Sequence, residues 1–268
     1  MAQGISLHIG LNSVDPAHYQ GWSGHLAACE FDAKDMLALA KTQGFTSSPM
    51  LLTKAATVAA VKTAMTDAAK KLVSGDIFFL TYSGHGGQVP DGNNDEIDRK
   101  DETWVLYDRM LVDDELFGLY SLFKTGVRVL VLSDSCHSGT VTRAVPPFID
   151  GSPAPRVLPT AIGSKVYKAN KAMYDNVQAQ NKAAELIKVK ASVLLISGCQ
   201  DNQVSLDGAR NGLFTGTMKK VWNSGKFVGS SHKFRDVIVT KMPATQTPNY
   251  YIVGASSLAF EAQKPFTI

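Results

Sequence analysis

Two segments of the chain carry residues whose types and spacing suit covalent chemistry. "YSGHGG", residues 82–87, sets His85 among glycines at the end of the apolar run "DIFFLTYSGH". "DSCHSG", residues 134–139, sets Cys136 just past the end of a second run, "VRVLVLSDSC". A thiol becomes a strong nucleophile when a neighbouring base or cation favours its thiolate, and an imidazole can act as that base and then protonate a leaving amine. If the two runs are neighbouring parallel strands, their ends open onto one sheet edge, where α/β folds place ligands. Glycines beside the histidine let a substrate backbone come close, and the amides of Gly86 and Cys136 are placed to stabilise an oxyanion. A thiol hydrolase is the chemistry this arrangement implies.

The elements that must hold these residues are legible as short runs rich in Val, Ile, Leu and Phe, separated by helical patterns, which is how a mostly parallel sheet with crossover helices reads. Strands are expected near Ile5 to Leu11, Met50 to Leu52, Asp76 to Tyr82, Val127 to Ser133, Val193 to Ser197 and Asn249 to Val253. One helix is expected to bury Phe31, Met36, Leu39 and Ala40 and to stop at Gly44; another repeats Val58, Val61, Met65, Ala69 and Leu72 and stops at Gly75. From Val145 to Thr160 the chain carries five prolines, which predicts an irregular connection, and the basic, alanine-rich stretch from Ser164 to Lys190 reads as helical. The expected organisation is one domain over 1–268, with a large part (1–143), an inserted linker (144–190) and a small part (191–268).

Composition narrows the function classes. With 268 residues and 44% hydrophobic content the chain can bury a real core. A formal charge of +3, spread among acids rather than gathered in a stripe, gives no basis for a nucleic-acid partner. Three cysteines, Cys29, Cys136 and Cys199, make no disulfide framework, so a cytoplasmic location is expected. No apolar stretch approaches 18 residues and no leader pattern opens the chain, so no membrane association is expected. His18, His25 and Cys29 fit no strong zinc spacing. Cys136 and Arg143 do not make a phosphatase loop, which needs one residue fewer between the two.

In combination, "YSGHGG" and "DSCHSG" closely resemble the metacaspases and bacterial orthocaspases among the caspase-like cysteine peptidases. The similarity also takes in "GISLHIGLN", "LAACEFDAKDM", "DETWVLYD", "VDDEL", "VLLISGCQDNQVSLD" and "GLFTGTMKKVW". The resemblance implies a caspase-like α/β fold with a single mostly parallel six-stranded sheet flanked by helices. It also implies a cysteine endopeptidase with Cys136 as nucleophile and His85 as general acid/base, cutting protein or peptide substrates after Arg or Lys through an acyl-thioester.

The positions that match the family's first specificity pocket are Cys29, Asp32, Ser83 and Asp134; two carboxylates in a narrow pocket favour a guanidinium or ammonium. Many metacaspases hold calcium in an acidic cluster, which Asp113, Asp114 and Asp101 or Asp98 match in part. Arg143 stands where calcium-binding relatives have an aspartate and would repel the metal or take its place, so Ca2+ is not a requirement of this reading. Arg143, Arg156, Lys165, Lys168 and Lys171 are candidate self-cleavage positions in the linker, and a monomer is expected by analogy with the metacaspases. The alternative is a catalytically silent caspase-like binding or scaffold module.

Overall fold

The computed structural model describes residues 1–47, 49–91, 100–136, 154–185, 189–200 and 203–268. Its central sheet contains β1 (Gly4–Gly10), β2 (Thr46–Ser47), β3 (Leu51–Leu52), β4 (Ile77–Ser83), β8 (Arg128–Asp134), β9 (Ser192–Ser197) and β10 (Asn249–Gly254). The spatial order is β10-β9-β8-β4-β1-β2, with β3 also on β1. Every pairing is parallel except β10 with β9. The six expected strands are all present; the two-residue β2 was not anticipated, being too short to show a period.

Side-chain alternation along these strands builds two cores, one on each face. Leu7, Ile9, Phe78, Leu80, Val129, Val131 and Val193 face α2 (Val58–Lys71) and α3 (Asp113–Ser121). Ile77, Phe79, Leu130, Leu132, Leu194 and Ile196 face α1 (Cys29–Thr42), α6 (Leu213–Trp222) and α7 (Ser231–Val239). Burial on both faces explains why these strands read as continuous apolar runs. α2 starts where the Thr57 side chain accepts a hydrogen bond from Ala60 N. The chain leaves α1 through Gly44 at φ +86°, a value that favours glycine; α2 stops earlier than expected, at Lys71 with an extended Leu72 after it, and Gly75 at φ +93° serves the turn into β4 instead. Phe31 departs from expectation: it is exposed, and the buried face of α1 carries Asp32 beside Ala33, Met36, Leu39 and Ala40.

A second, antiparallel sheet of β5 (Gly86–Pro90), β6 (Lys100–Val105) and β7 (Met110–Val112) follows β4 directly. Its apolar side receives the linker. The segment expected to be irregular contains an extended stretch, 154–158, and the stretch expected to be helical from Ser164 forms two helices, α4 (Thr160–Ala169) and α5 (Lys171–Glu185), the first starting four residues earlier. Leu158, Val166 and Tyr174 join Val14, Tyr19, Val89, Val105, Met110 and Val112 in a third apolar cluster. The Tyr174 hydroxyl accepts from Met110 N at 3.2 Å. The helices of the linker are therefore docked by the apolar cluster they share with this sheet.

The register of β4 on β8 matters most for function. Ser83 lies opposite Asp134, so His85 and Cys136 each stand two residues beyond a matched pair. No helix among the described residues is long and apolar enough to cross a membrane.

If Tyr174 anchors the linker helices, Tyr174→Ala should loosen α4 and α5 while sparing the central sheet. Limited trypsin digestion should then cut at Lys165, Lys168 or Lys171 at least tenfold faster than in the wild type, with the far-ultraviolet spectrum nearly unchanged; the lost aromatic burial is of the size, about 3 to 5 kcal/mol, that supports such opening.

Candidate active site

Past the end of β4 the chain turns and His85 is held by the loop between β1 and α1. Its Nε2 lies 2.8 Å from Gly24 O, and the Trp22 ring packs on it with centroids 4.8 Å apart. A carbonyl can only accept, so Nε2 carries the proton and Nδ1 keeps its lone pair. Nδ1 is buried with no hydrogen-bond partner among the described residues. Burial lowers the His85 pKa from 6.5 to about 4. The neutral imidazole is thus the resting form.

Cys136 is fully buried and its sulfur is bonded to Ser205, receiving Ser205 N–H at 2.7 Å and lying 3.4 Å from Ser205 O. Burial pushes the thiol pKa well up, and the neighbouring Cys199 thiol pushes in the same direction. Gly86 fits directly against the Cys136 backbone. A Cβ there would stand 1.5 Å from Cys136 O, so no other residue can occupy the position without moving the chain.

What fills the space between these two segments is the linker itself. Arg156 O accepts from Gly86 N at 3.0 Å and from Cys136 N at 3.2 Å. Arg156 N donates to Ser205 O at 2.9 Å, Asp207 N donates to Ala154 O at 2.8 Å, and Leu158 N donates to Gly86 O at 2.7 Å. Residues 154–158 are consequently gripped as an extended strand on both sides of the Arg156–Val157 peptide bond.

The Arg156 side chain, 0% exposed, is the largest fully buried one among the described residues. Its Nη2 reaches Asp32 Oδ2 at 2.7 Å and Asp207 Oδ1 at 2.9 Å; Nη1 reaches Asp134 Oδ2 at 3.0 Å and Ser83 Oγ at 2.9 Å. Burial works against its charge, but Asp134, with Cys29, Asp32 and Asp207, more than offsets this, so Arg156 stays ionised. Each carboxylate has further donors. Asp134 receives Thr215 N and Oγ1 and Ser205 Oγ; Asp32 receives Ser83 Oγ, Asn211 Nδ2 and Gly212 N; Asp207 receives Ala27 N and Ala28 N. Three acids around one cation leave excess negative charge, and burial raises the Asp32 pKa despite Arg156. Burial also pushes the Cys29 thiol up to about 12.

Asp32, Ser83 and Asp134 thus meet on one guanidinium, and the amides of Gly86 and Cys136 meet on one carbonyl oxygen. Cys29 lies buried beside them, close enough for its sulfur and the guanidinium to act on one another's charge. Sequence reasoning gave no role to Asp207, Ser205, Asn211, Gly212 or Thr215, although "VSLD" and "GLFTGT" lie within the stretches that carried the resemblance. Gly212 closes the pocket so tightly that a Cβ would come 2.6 Å from the guanidinium carbon. For Asp32 the signal was present: an acid on the apolar face of α1 needs a buried partner.

The acidic positions behave differently. Burial pushes the Asp113 carboxyl pKa well up, with Glu102, Asp101 and Asp114 adding to the effect. Gln178 of α5 donates to Asp101 Oδ2 at 2.5 Å. Yet among the described residues no group of three or more His, Cys, Asp or Glu is arranged to hold a metal ion. Asp113, Asp114 and Asp101 therefore do not by themselves make the site the resemblance implied, since calcium takes six to eight oxygens; Asp98 lies outside the described residues. Among the self-cleavage candidates, Lys165 and Lys168 are on α4 and Lys171 begins α5, all exposed but helical, so they present no extended strand. Arg143 lies outside the described residues.

Residues 14–254 match the model of the caspase domain, a peptidase family. The chain belongs to the caspase-domain family. It is 30% identical over 250 residues to metacaspase-1 of Saccharomyces cerevisiae, covering 80% of this chain and 56% of that protein. Against metacaspase-1A of Aspergillus clavatus it is 29% identical over 286 residues, covering 91% and 64%. The chain thus spans somewhat over half the length of the curated relatives it matches. Among solved structures, protein GSU0716 of Geobacter sulfurreducens aligns at 53% identity and TM-score 0.90 over 99% of this chain and 98% of that one. Caspase-1 of Spodoptera frugiperda aligns at 9% identity and TM-score 0.55, covering 94% and 86%, a likeness of fold. The metacaspase and caspase-like resemblance read from the motifs is therefore correct, as is the fold class.

The buried imidazoles set a pH dependence. The unfolded chain takes up a proton near 6.5, whereas His85 does so only near about 4 and His8 near about 3 when folded. Between these values the unfolded state holds more protons, so stability rises with pH and is lost as pH falls from 6.5 towards 4. From pH 7 to pH 5 each histidine should remove about 2 kcal/mol. Denaturant titrations at both pH values should show a loss smaller by that amount in His85→Gln than in the wild type.

Proposed function

We propose that the protein is a cysteine endopeptidase that cuts after arginine or lysine, and that the Arg156–Val157 bond is one it cuts in its own chain. The observation that carries this reading is the placement of Arg156: its guanidinium rests on Asp32, Asp134 and Asp207 while its carbonyl oxygen receives the amides of Gly86 and Cys136. A peptide carbonyl between two backbone donors is polarised where a tetrahedral oxyanion would need stabilising. A pocket of three acids rejects aspartate by charge repulsion. The metacaspase relatives support the same class.

In this reaction the Cys136 sulfur attacks the carbonyl carbon of the arginine residue and the thiol proton passes to His85 Nδ1. Collapse of the oxyanion breaks the C–N bond, and His85 delivers that proton to the departing amine. Water then loses a proton to Nδ1 as its oxygen attacks the thioester, and the imidazolium returns a proton to the sulfur as the acid product leaves. Because the resting thiol and imidazole are both neutral, proton transfer must accompany attack rather than precede it. The Trp22 and Gly24 contacts hold the ring with Nε2 occupied and leave the buried Nδ1 lone pair for this role.

The test is to incubate the wild type and Cys136→Ala and sequence the fragments. The wild type should yield a new amino terminus at Val157; Cys136→Ala should stay intact, and so should Arg156→Ala at this bond. In matched peptides, cleavage after Arg should exceed that after Asp or Leu, and Asp134→Ala should lower it several hundred-fold, as expected from the roughly 3 to 5 kcal/mol of leaving a buried charge underpaired. An intact wild type that also cuts no Arg or Lys peptide would instead support a silent module plugged by its own linker.

A further inference from the structure

The contacts of Leu158 lie on the far side of the peptide bond from the acidic pocket, where neither the arginine preference nor the thiol and imidazole gives a reason for them. Gly86 grips the chain twice: its amide donates to Arg156 O, and its carbonyl accepts from Leu158 N at 2.7 Å. The two groups belong to one residue and straddle the Arg156–Val157 bond, with Val157 in parallel register against Gly86. The Leu158 side chain is 2% exposed and shares an apolar cluster with Val89, Val105 and Tyr19. Gly87 forms part of the floor beneath it: a Cβ on Gly87 would come within 3.2 Å of Leu158 Cβ and Cδ2.

On the other side of the bond, Arg156 N and Ala154 O use the antiparallel pairing with Ser205 and Asp207. Pro155, between them, faces Leu206 in a bridge that requires no N–H from it. A proline there gives up no hydrogen bond and fixes the extended backbone that the cleft grips.

Resting on the proposed endopeptidase reading, we propose that the enzyme recognises substrates well beyond the arginine. It has a leaving-side subsite that takes an aliphatic side chain two residues after the cut, gripped through Gly86 O, and it accepts proline directly before the arginine. Its preferred substrates are then extended segments of the pattern Pro-Arg, cut, then an apolar residue of valine's size, which packs against Cys136 and Cys199, and then Leu, Ile or Met. Residues 157–159 must vacate the subsite for another chain to enter, which breakage of the 156–157 bond permits by freeing their amino end. Removing the leaving-side residues removes both the burial of one aliphatic group and one backbone hydrogen bond, so short substrates ending in a reporter group just after arginine should be poor.

The experiment uses internally quenched peptides built on Ala-Pro-Arg-Val-Leu-Pro and the full chain. Replacing Leu by Asp, or by N-methyl-leucine, which keeps the side chain but deletes the donor, should each lower kcat/KM at least tenfold. N-methylation of the arginine nitrogen should abolish cleavage, whereas exchanging Pro for Ala should not improve it. A second readout is the chain itself: Leu158→Ala should slow appearance of the Val157 terminus by a similar factor. Equal cleavage of all peptides that carry Arg, whatever follows it, together with unchanged self-cleavage of Leu158→Ala, would overturn the subsite and leave the endopeptidase reading standing. Failure of every Arg peptide and of self-cleavage would overturn both.

Discussion

The structure around the site depends on one ion cluster, a guanidinium sealed from water by three carboxylates. An ionised group without partners in such surroundings costs several kcal/mol, and three acids without a cation would repel one another. Arg156 and the acids therefore need each other. The acids come from the ends of separate segments: Asp32 from α1, Asp134 from the end of β8 and Asp207 from the loop before α6. By joining them, Arg156 ties the two parts of the chain on either side of the linker to one another. The same cluster defines what another chain would have to offer in order to replace it, namely a long basic side chain on an extended backbone.

The parallel register of β4 and β8 does the rest of the positioning. Once Ser83 is opposite Asp134, the residues two further along, His85 and Cys136, emerge together, and their neighbours Ser83 and Asp134 point to the Arg156 guanidinium. Gly86 can then sit against the Cys136 carbonyl and share one acceptor with its amide. One strand pairing thus sets Cys136, His85, the two amides that meet on Arg156 O and two walls of the pocket, so a slip of register would displace all of them together.

Much of this was legible in the residues. Apolar runs ending in "SGHGG" and "SDSCHSG" marked the two strand ends, and Gly44 marked the end of α1, while α2 stopped at Lys71 without waiting for Gly75. The pocket acids Asp32 and Asp134 came through the family resemblance. Other features were hidden for physical reasons. Asp207, Asn211, Gly212 and Thr215 belong to a loop and helix start with no period to read, and only tertiary packing brings them to Arg156. The loop carrying Trp22 and Gly24 orients His85 by one carbonyl and one ring face, contacts that leave no spacing rule. Arg156 was one of five basic linker residues; what singles it out is its burial within an extended, proline-flanked stretch, while Lys165, Lys168 and Lys171 are wound into helices.

The central claim is that Cys136 is a nucleophile served by a pocket that reads arginine. The most direct measurement is intact-protein and peptide mass spectrometry after exposure to an Ala-Pro-Arg electrophile that reacts only with an activated thiol, set beside its Ala-Pro-Asp counterpart. The account predicts one adduct per chain, on Cys136, formed by the Arg reagent at a rate at least a hundred times that of the Asp reagent and lost in His85→Ala. An adduct on Cys29 or Cys199 instead, or equal rates for the two reagents, would contradict it.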